Sequence, residues 1–314
     1  METFGTVSYP RDRFRHVSEN ETIRPTGPGA STPRRKGSRK RAALSPSRAK
    51  DFQQCPLLFR LRTVDHLPEP GSLATHKGTI VHGVLERLYD LPARERTREA
   101  AIAMLPAQWE AHQAKSPEVL TLFEDESRIE PWLDEARELI KAYFQMENPT
   151  RLEPAERELF VQTETAGGLL LRGFVDRLDV APDGAMRVVD YKTGRSPSPR
   201  FVEDALFQMR FYGLVLWRLR GEAPRRLQLV YLKDGRTLTH DPRLPELETV
   251  ETKLERIWDE VEDCAASGDF APHRTRLCDW CAFQAQCPIF GGTTPEIPAD
   301  GLEQLLTARQ TPTA

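Results

Sequence analysis

The sequence predicts an α/β protein, and three observations carry that expectation. Residues 156–164, 169–180 and 186–194 are successive β-like runs rich in Val, Leu, Phe and Tyr. The stretch before them, from about 44 to 147, is dominated by helical periodicity. After them, a strong helical pattern over 201–219 is followed by a strand or hairpin over 225–240 and another helix over 247–267.

The bulk properties are those of an ordinary soluble protein: 314 residues, 39% hydrophobic and 29% charged. A formal net charge of −3 hides an asymmetry, because the first 50 residues carry twelve Lys or Arg and four acidic residues, so the remainder is acidic. Residues 1–42 include "RPTGPGASTPRRKGSRKR", which cannot bury enough apolar surface to offset its ordering entropy. They read as a disordered basic tail able to add non-specific phosphate contacts. Every apolar run falls short of the roughly 18 residues of a membrane span, and the start has no apolar h-region, so the expected compartment is the cytoplasm, with no membrane partner. Thiols there stay reduced, which makes Cys55, Cys264, Cys278, Cys281 and Cys287 poor disulfide candidates.

The elements follow in order. "LSPSRAKDFQQCPLLFRLR" (44–62) opens with the cap signal Ser45-Pro46 and continues with a helical period. "KGTIVHGVLERLYDL" (77–91) is a helix with Ile80, Val84, Leu85 and Leu88 on its apolar side and His82 and Glu86 four apart on a flank. Residues 97–147 are mainly helical, most clearly in "PWLDEARELIKAYF". "APDGA" (181–185) supplies turn chemistry between the second and third strands. Gly268 ends the helix over 247–267, and the chain from 271 onward is loop-rich.

Chemistry concentrates in "VVDYKTG" (188–194), where Asp190 and Lys192 are two apart on one strand face. An odd-length turn centred on Asp183 puts Asp176 directly across from Asp190, with Cβ atoms about 4.5–5.5 Å apart; an even one puts the two aspartates on opposite faces. Two bare carboxylates so placed repel. A shared divalent cation removes that cost, and oxygen ligands suit Mg²⁺ or Mn²⁺. Lys192 beside such an ion can orient a water and stabilise charge developing on a phosphate. The bland alternatives are a surface ion pair at Asp190–Lys192 and pairing of Asp176 with Arg177 or Arg172.

"CDWCAFQAQC" places Cys278, Cys281 and Cys287 as C-x₂-C-x₅-C, with Cys55 far upstream. Four soft thiolates suit a tetrahedral zinc or an iron–sulfur cluster, and spacing alone leaves both open. Cys264 reads as a small buried hydrophobe.

Taken together, "GTIVHGVLE", "GFVDRLDV", "VVDYKTG", "QMRFY" and the cysteine set resemble the RecB-type branch of the PD-(D/E)XK nucleases, which includes Cas4-like and AddB-like proteins. The resemblance spans roughly residues 44–290 in the expected order. It matches Asp176, Asp190 and Lys192 to the catalytic positions, with aspartate rather than glutamate before the lysine. It matches His82 to the helical histidine of the metal shell, with the backbone carbonyl of Tyr191 as a further ligand, and Gln208 and Tyr212 to a Q-x-x-x-Y element expected to grip the DNA strand. Glu156 is a loose match to an acidic residue upstream. The implied fold is a restriction-endonuclease-like core, a central mixed sheet flanked by helices, over 43–292. A helical insertion sits at about 92–150, and 293–314 is expected to be a flexible tail. The implied cofactors are Mg²⁺ or Mn²⁺ and a [4Fe–4S] cluster on Cys55, Cys278, Cys281 and Cys287, favoured over zinc, that ties the N-terminal helical region to the C-terminal tail. The implied activity is that of an exonuclease on single-stranded DNA or DNA ends in repair or recombination. The alternatives are a non-catalytic nucleic-acid-binding scaffold and a Cas4-like role in CRISPR adaptation. The motif G-x-x-x-x-G-K-[ST] does not occur, so unwinding would fall to a partner helicase or another repair protein.

Overall fold

A computed structural model describes residues 41–309. Of the basic tail expected at 1–42, residues 1–40 lie outside the described residues. At the centre is a five-stranded mixed sheet in chain order: β1 (Glu156–Glu164), β2 (Leu170–Val180), β3 (Met186–Lys192), β4 (Arg226–Tyr231) and β5 (Arg236–His240). The first three strands form an antiparallel meander, β4 lies parallel to β3, and β5 returns antiparallel to β4. A parallel neighbour needs a crossover, and helix α6 (Val202–Arg220) provides it.

Strand β3 is the sheet's middle strand. Its "VVDY" is buried throughout, as a strand covered on both faces must be. On one face, α6, α7 (Leu244–Ser267) and the N-terminal α1 (Pro46–Gln54) pack over Val175, Leu178, Val188, Leu227 and Leu229. On the other, α3 (Leu73–Leu88), α4 (Arg98–Lys115) and α5 (Ile129–Met146) pack over Val189, Tyr191 and Val230. Helix α5 buries Trp132, Leu133, Ala136, Leu139, Ile140 and Tyr143, the stripe its sequence predicts. Among the described residues, no helix is long and apolar enough to cross a membrane.

Two expectations are corrected. Residues 44–62 are two helices, α1 and α2 (Pro56–Thr63), because Pro56 has no amide hydrogen and pushes the preceding residue out of the helical region. Cys55 sits at that break in an extended conformation. Within the stretch expected to be a flexible tail, residues 299–306 form helix α8, with Leu305 and Ala308 buried. Arg309 then pairs with Glu255, Asp259 and Glu262 of α7, at 2.8, 2.6 and 3.2 Å.

Candidate active site

The β2–β3 connection is the five-residue turn 181–185, closed by a hydrogen bond from Ala181 N–H to Ala185 O at 2.9 Å. It sets the register Arg177↔Val189, and the next rung is Asp176 opposite Asp190. Backbone pairing stops before that rung. In its place the Tyr191 N–H donates to Asp176 Oδ2 at 2.7 Å, so the carboxylate stands in for a strand carbonyl and is fixed by it.

The same register logic in the first hairpin, where Arg157 opposes Arg177 and Leu159 opposes Val175, brings Glu158 opposite Asp176. Glu158 carries φ of +44°, a left-handed conformation that side-chain-bearing residues seldom adopt in a strand. The strand turns over at that point: Arg157 reaches back to Asp90 at the end of α3, whereas Leu159 packs towards the α6 core. One ligand atom each from His82, Glu158 and Asp176 lies within 4.8 Å of the others, the one such set of three among the described residues. A void of about 10 Å³ among His82, Glu86, Glu158, Asp176 and Tyr191 has about the size of a single water-sized occupant.

The electrostatics of this set are unfavourable to the protein alone. Burial, and then the Asp176 carboxylate, push the Glu158 carboxyl up to about 7. Burial and Asp176 likewise push Asp190 up to about 6, against the opposing pull of Lys192. His82, on α3, presents its two ring nitrogens differently. Nε2 donates to the Tyr191 carbonyl at 2.9 Å, and Nδ1 faces Asp176 Oδ2 at 3.5 Å.

Asp190 is 3% exposed and turned to the α6 side of the sheet. Lys192 Nζ lies 2.6 Å from its Oδ2 and 3.0 Å from Gln208 Oε1, while Gln208 Nε2 donates to Asp190 Oδ1 at 2.9 Å. Gln208 thus clamps the pair together. Tyr212 is buried at 6% exposure and packs under Gly173, where a Cβ would come within 2.7 Å of its ring. Of the two residues expected to grip a DNA strand, Gln208 is thus bonded to Asp190 and Lys192, and the Tyr212 ring lies in the core. A groove of about 460 Å³ opens beside His82 and Lys192, lined also by Gly78, Thr79, Thr193 and Arg195.

The pairing of Asp176 with Arg177 or Arg172 is not seen. Arg177, fully buried, makes a two-pronged bond to Glu147 at 2.7 and 2.8 Å and a contact with Asp179 at 3.1 Å. It also donates to the hydroxyls of Tyr89, at 3.2 Å, and Tyr191.

In a separate small cluster, Cys55, Cys281 and Cys287 pack against Leu57, Leu58, Leu61 and Phe283. Burial pushes the Cys281 thiol up, and the nearby sulfurs of Cys278, Cys55 and Cys287 add to it. The amides of His273 and Thr275 point at the sulfurs of Cys55 and Cys278, at 3.4 and 3.3 Å. Cys264 lies apart, half-buried against the main core.

Glu158 is the site residue that sequence reasoning missed. The upstream acid was sought at Glu156, which opposes Leu178 instead. Register arithmetic across the first hairpin, of the kind applied to the second, was the available signal.

The geometry agrees with the family comparison. Residues 43–288 match the PD-(D/E)XK nuclease superfamily. The chain belongs to that superfamily, whose members are metal-dependent nucleases. It is 27% identical over 280 residues to the Gene 69 protein of Mycobacterium phage D29, an alignment covering 78% of this chain and 96% of that protein. It is 34% identical over 128 residues to the Gene 69 protein of Mycobacterium phage L5, covering 39% of this chain and 41% of that protein, so this second match spans less than half the relative. The crystal structure of SSO0001 aligns with 76% of this chain and 95% of its own at 16% identity, with a TM-score of 0.34, too low to bear on the argument.

Proposed function

We propose that the chain is a RecB-type, Cas4-like deoxyribonuclease of the cytoplasm that degrades single-stranded DNA or DNA ends in repair or recombination. One observation carries the reading. Three mutually repelling carboxylates, Glu158, Asp176 and Asp190, stand opposite one another across β1, β2 and β3, with a lysine ammonium 2.6 Å from the last. A protein has no structural use for such a row, whereas a hard divalent cation is stabilised by it.

Two carboxylates and an imidazole whose Nδ1 faces them fit Mg²⁺ or Mn²⁺, with His82, Glu158 and Asp176 as the gathered ligands and Asp190 the next donor. The bound cation would supply Lewis-acid charge at the scissile phosphate and a more acidic water. The remaining work falls to the chain's own groups. The Tyr191 N–H locks the Asp176 carboxylate, and the Tyr191 carbonyl orients His82, which makes it a support for the shell rather than a ligand. Lys192 Nζ would position the attacking water and meet charge developing on the phosphate, and Gln208 keeps that group against Asp190.

The four thiols are proposed to hold a [4Fe–4S] cluster. A single zinc with Zn–S of about 2.3 Å draws its sulfurs to within about 4 Å of one another. The sulfurs of Cys55, Cys278 and Cys287 all bear on Cys281, and four such soft thiolates also suit a larger iron–sulfur cluster, the reading the sequence resemblance favours. It would join the break between α1 and α2 to the C-terminal segment and close the chain around the nuclease core. Anaerobically purified protein should then contain about four irons per chain; a single zinc and no iron would replace the cluster by a zinc site.

The direct test is digestion of end-labelled single-stranded DNA by anaerobically purified protein with Mn²⁺ or Mg²⁺, beside Lys192→Ala. Metal-dependent degradation lost in the variant is the expected result. A wild type with its full metal complement that cuts nothing would leave a non-catalytic nucleic-acid-binding scaffold.

A further inference from the structure

Phe160 and Phe174 are directly paired across β1 and β2, and both rings are open to solvent, at 51% and 56% exposure. Their centroids are 5.2 Å apart at an interplanar angle of 54°. Among the described residues they are the one touching aromatic pair in which both partners are exposed. Isolated exposed apolar residues need no explanation, but two large rings side by side on a strand pair do.

Their position on the sheet supplies one. Alternate residues of the hairpin, Val161, Leu171 and Val175, enter the core under α6, and Gly173 faces Tyr212 of that helix. Phe160 and Phe174 therefore point to the other side. That is the side of the sheet on which α3, the helix that brings His82 to Glu158 and Asp176, packs. Each ring is carried two residues along its own strand from one of those carboxylates, a backbone rise of about 7 Å in a regular strand. On the following rung of the same side, Gln162 opposes Arg172. From the acidic set outward the open face thus reads carboxylates, paired rings, then an amide and a guanidinium.

We propose that Phe160 and Phe174 form a stacking platform for the unpaired bases of a nucleic-acid strand whose scissile phosphate lies at the His82–Glu158–Asp176 set. The inference rests on the nuclease reading above and gives it a substrate class, a strand with unstacked bases. Aromatic rings bind bases of any sequence through their π-faces, and a cation such as Arg172 beyond them suits a phosphate. A protein partner is disfavoured because two rings framed by charged and polar groups fall far short of the roughly 800 Å² per side of a stable interface. Continuity with the acidic set also favours a substrate over a separate partner.

The test is equilibrium binding, by fluorescence anisotropy, of a labelled dT oligonucleotide and of an abasic strand of equal length. Full-chain Lys192→Ala protein in Ca²⁺ would be compared with the same protein carrying Phe160→Ala/Phe174→Ala, Phe160→Leu/Phe174→Leu or Phe160→Tyr/Phe174→Tyr. The alanine pair should weaken dT binding by about tenfold or more, leave the abasic strand unchanged, and be rescued by the tyrosine pair. The leucine pair keeps an apolar strand surface and should bind dT as poorly as the alanine pair, which separates stacking from folding. Equal dT affinity in the leucine and parent proteins overturns the inference. So does equal weakening on the abasic strand, no binding of dT by the parent, or a parent dimer that the alanine pair dissociates without changing dT affinity. Digestion by the wild type is scored separately. Cleavage with no effect of the rings sinks the platform and spares the nuclease; ring-dependent binding without cleavage does the reverse.

Discussion

Asp176 and Arg177 are neighbours in β2 yet live in opposite electrostatic regimes. Arg177 is buried with its charge met on every side by Glu147, Asp179 and two tyrosine hydroxyls. Asp176 faces two other carboxylates, and the protein answers only with the Tyr191 amide and the edge of His82. One residue apart, the chain has built a finished ion network and an unfinished one. The finished network also anchors Tyr191, the residue whose backbone fixes both Asp176 and His82, so the quiet region holds the strained one in place. The difference assigns stability to the first and chemistry to the second, since perturbed groups held against their own repulsion are those a ligand can relieve.

Substitutions can break that division of labour. The largest effect is expected in the unfinished network: Lys192→Ala or Asp190→Ala should cut DNA cleavage by at least about 10²–10³-fold with thermal melting little changed. In the finished one, Arg177→Met strands Glu147 in the interior, leaves Asp179 to Arg187 alone, and should cost about 3–5 kcal/mol in denaturant unfolding. If Arg177→Met were as stable as wild type, the network would not be the support assigned to it.

Glu158→Gln sharpens the comparison. It removes one repelling charge and one ligand, so Mn²⁺ affinity should fall by at least about tenfold, as even the loss of an outer partner does. The same change should raise the melting temperature of metal-free protein at neutral and higher pH. The smallest effect is in pH dependence. The folded carboxyls of Glu158 and Asp190 sit at about 7 and about 6, above the ordinary value near 4. Between those limits the folded state holds protons that the unfolded state releases. The two groups therefore favour folding at low pH, and that contribution is lost as pH rises through 6 and 7. Metal-free melts should show a component that falls across this window and is reduced in Glu158→Gln. Mn²⁺ should cancel the fall if, as proposed, the deprotonated carboxylates are its ligands.

The turn "APDGA" and the strand alternation around it were enough to set Asp176 against Asp190, because register in a short hairpin follows from loop length. The helical stripes of α5 and the crossover before β4 were legible for similar reasons of period and length. Other features depend on tertiary contact. Hairpin register sets Glu158 opposite Asp176, but the left-handed backbone that turns its side chain into the site is one no glycine signals. Tyr212 and Gln208 had the right spacing for one face, but only packing reveals that this face looks inward, against Gly173 and Lys192. The split at Cys55 was written in Pro56 and was overlooked within an otherwise helical period. Helix α8 had too few residues for a period to stand out.

The most direct measurement is Mn²⁺ binding followed by electron paramagnetic resonance on wild-type protein and on Asp176→Asn, at pH values on either side of the Glu158 value of about 7. The account predicts bound Mn²⁺ in the wild type on the alkaline side, weaker binding on the acid side, and at least about a tenfold loss in the variant at both. Equal binding by the two proteins, or none by the wild type on the alkaline side, would contradict the claim that this carboxylate row is a metal centre.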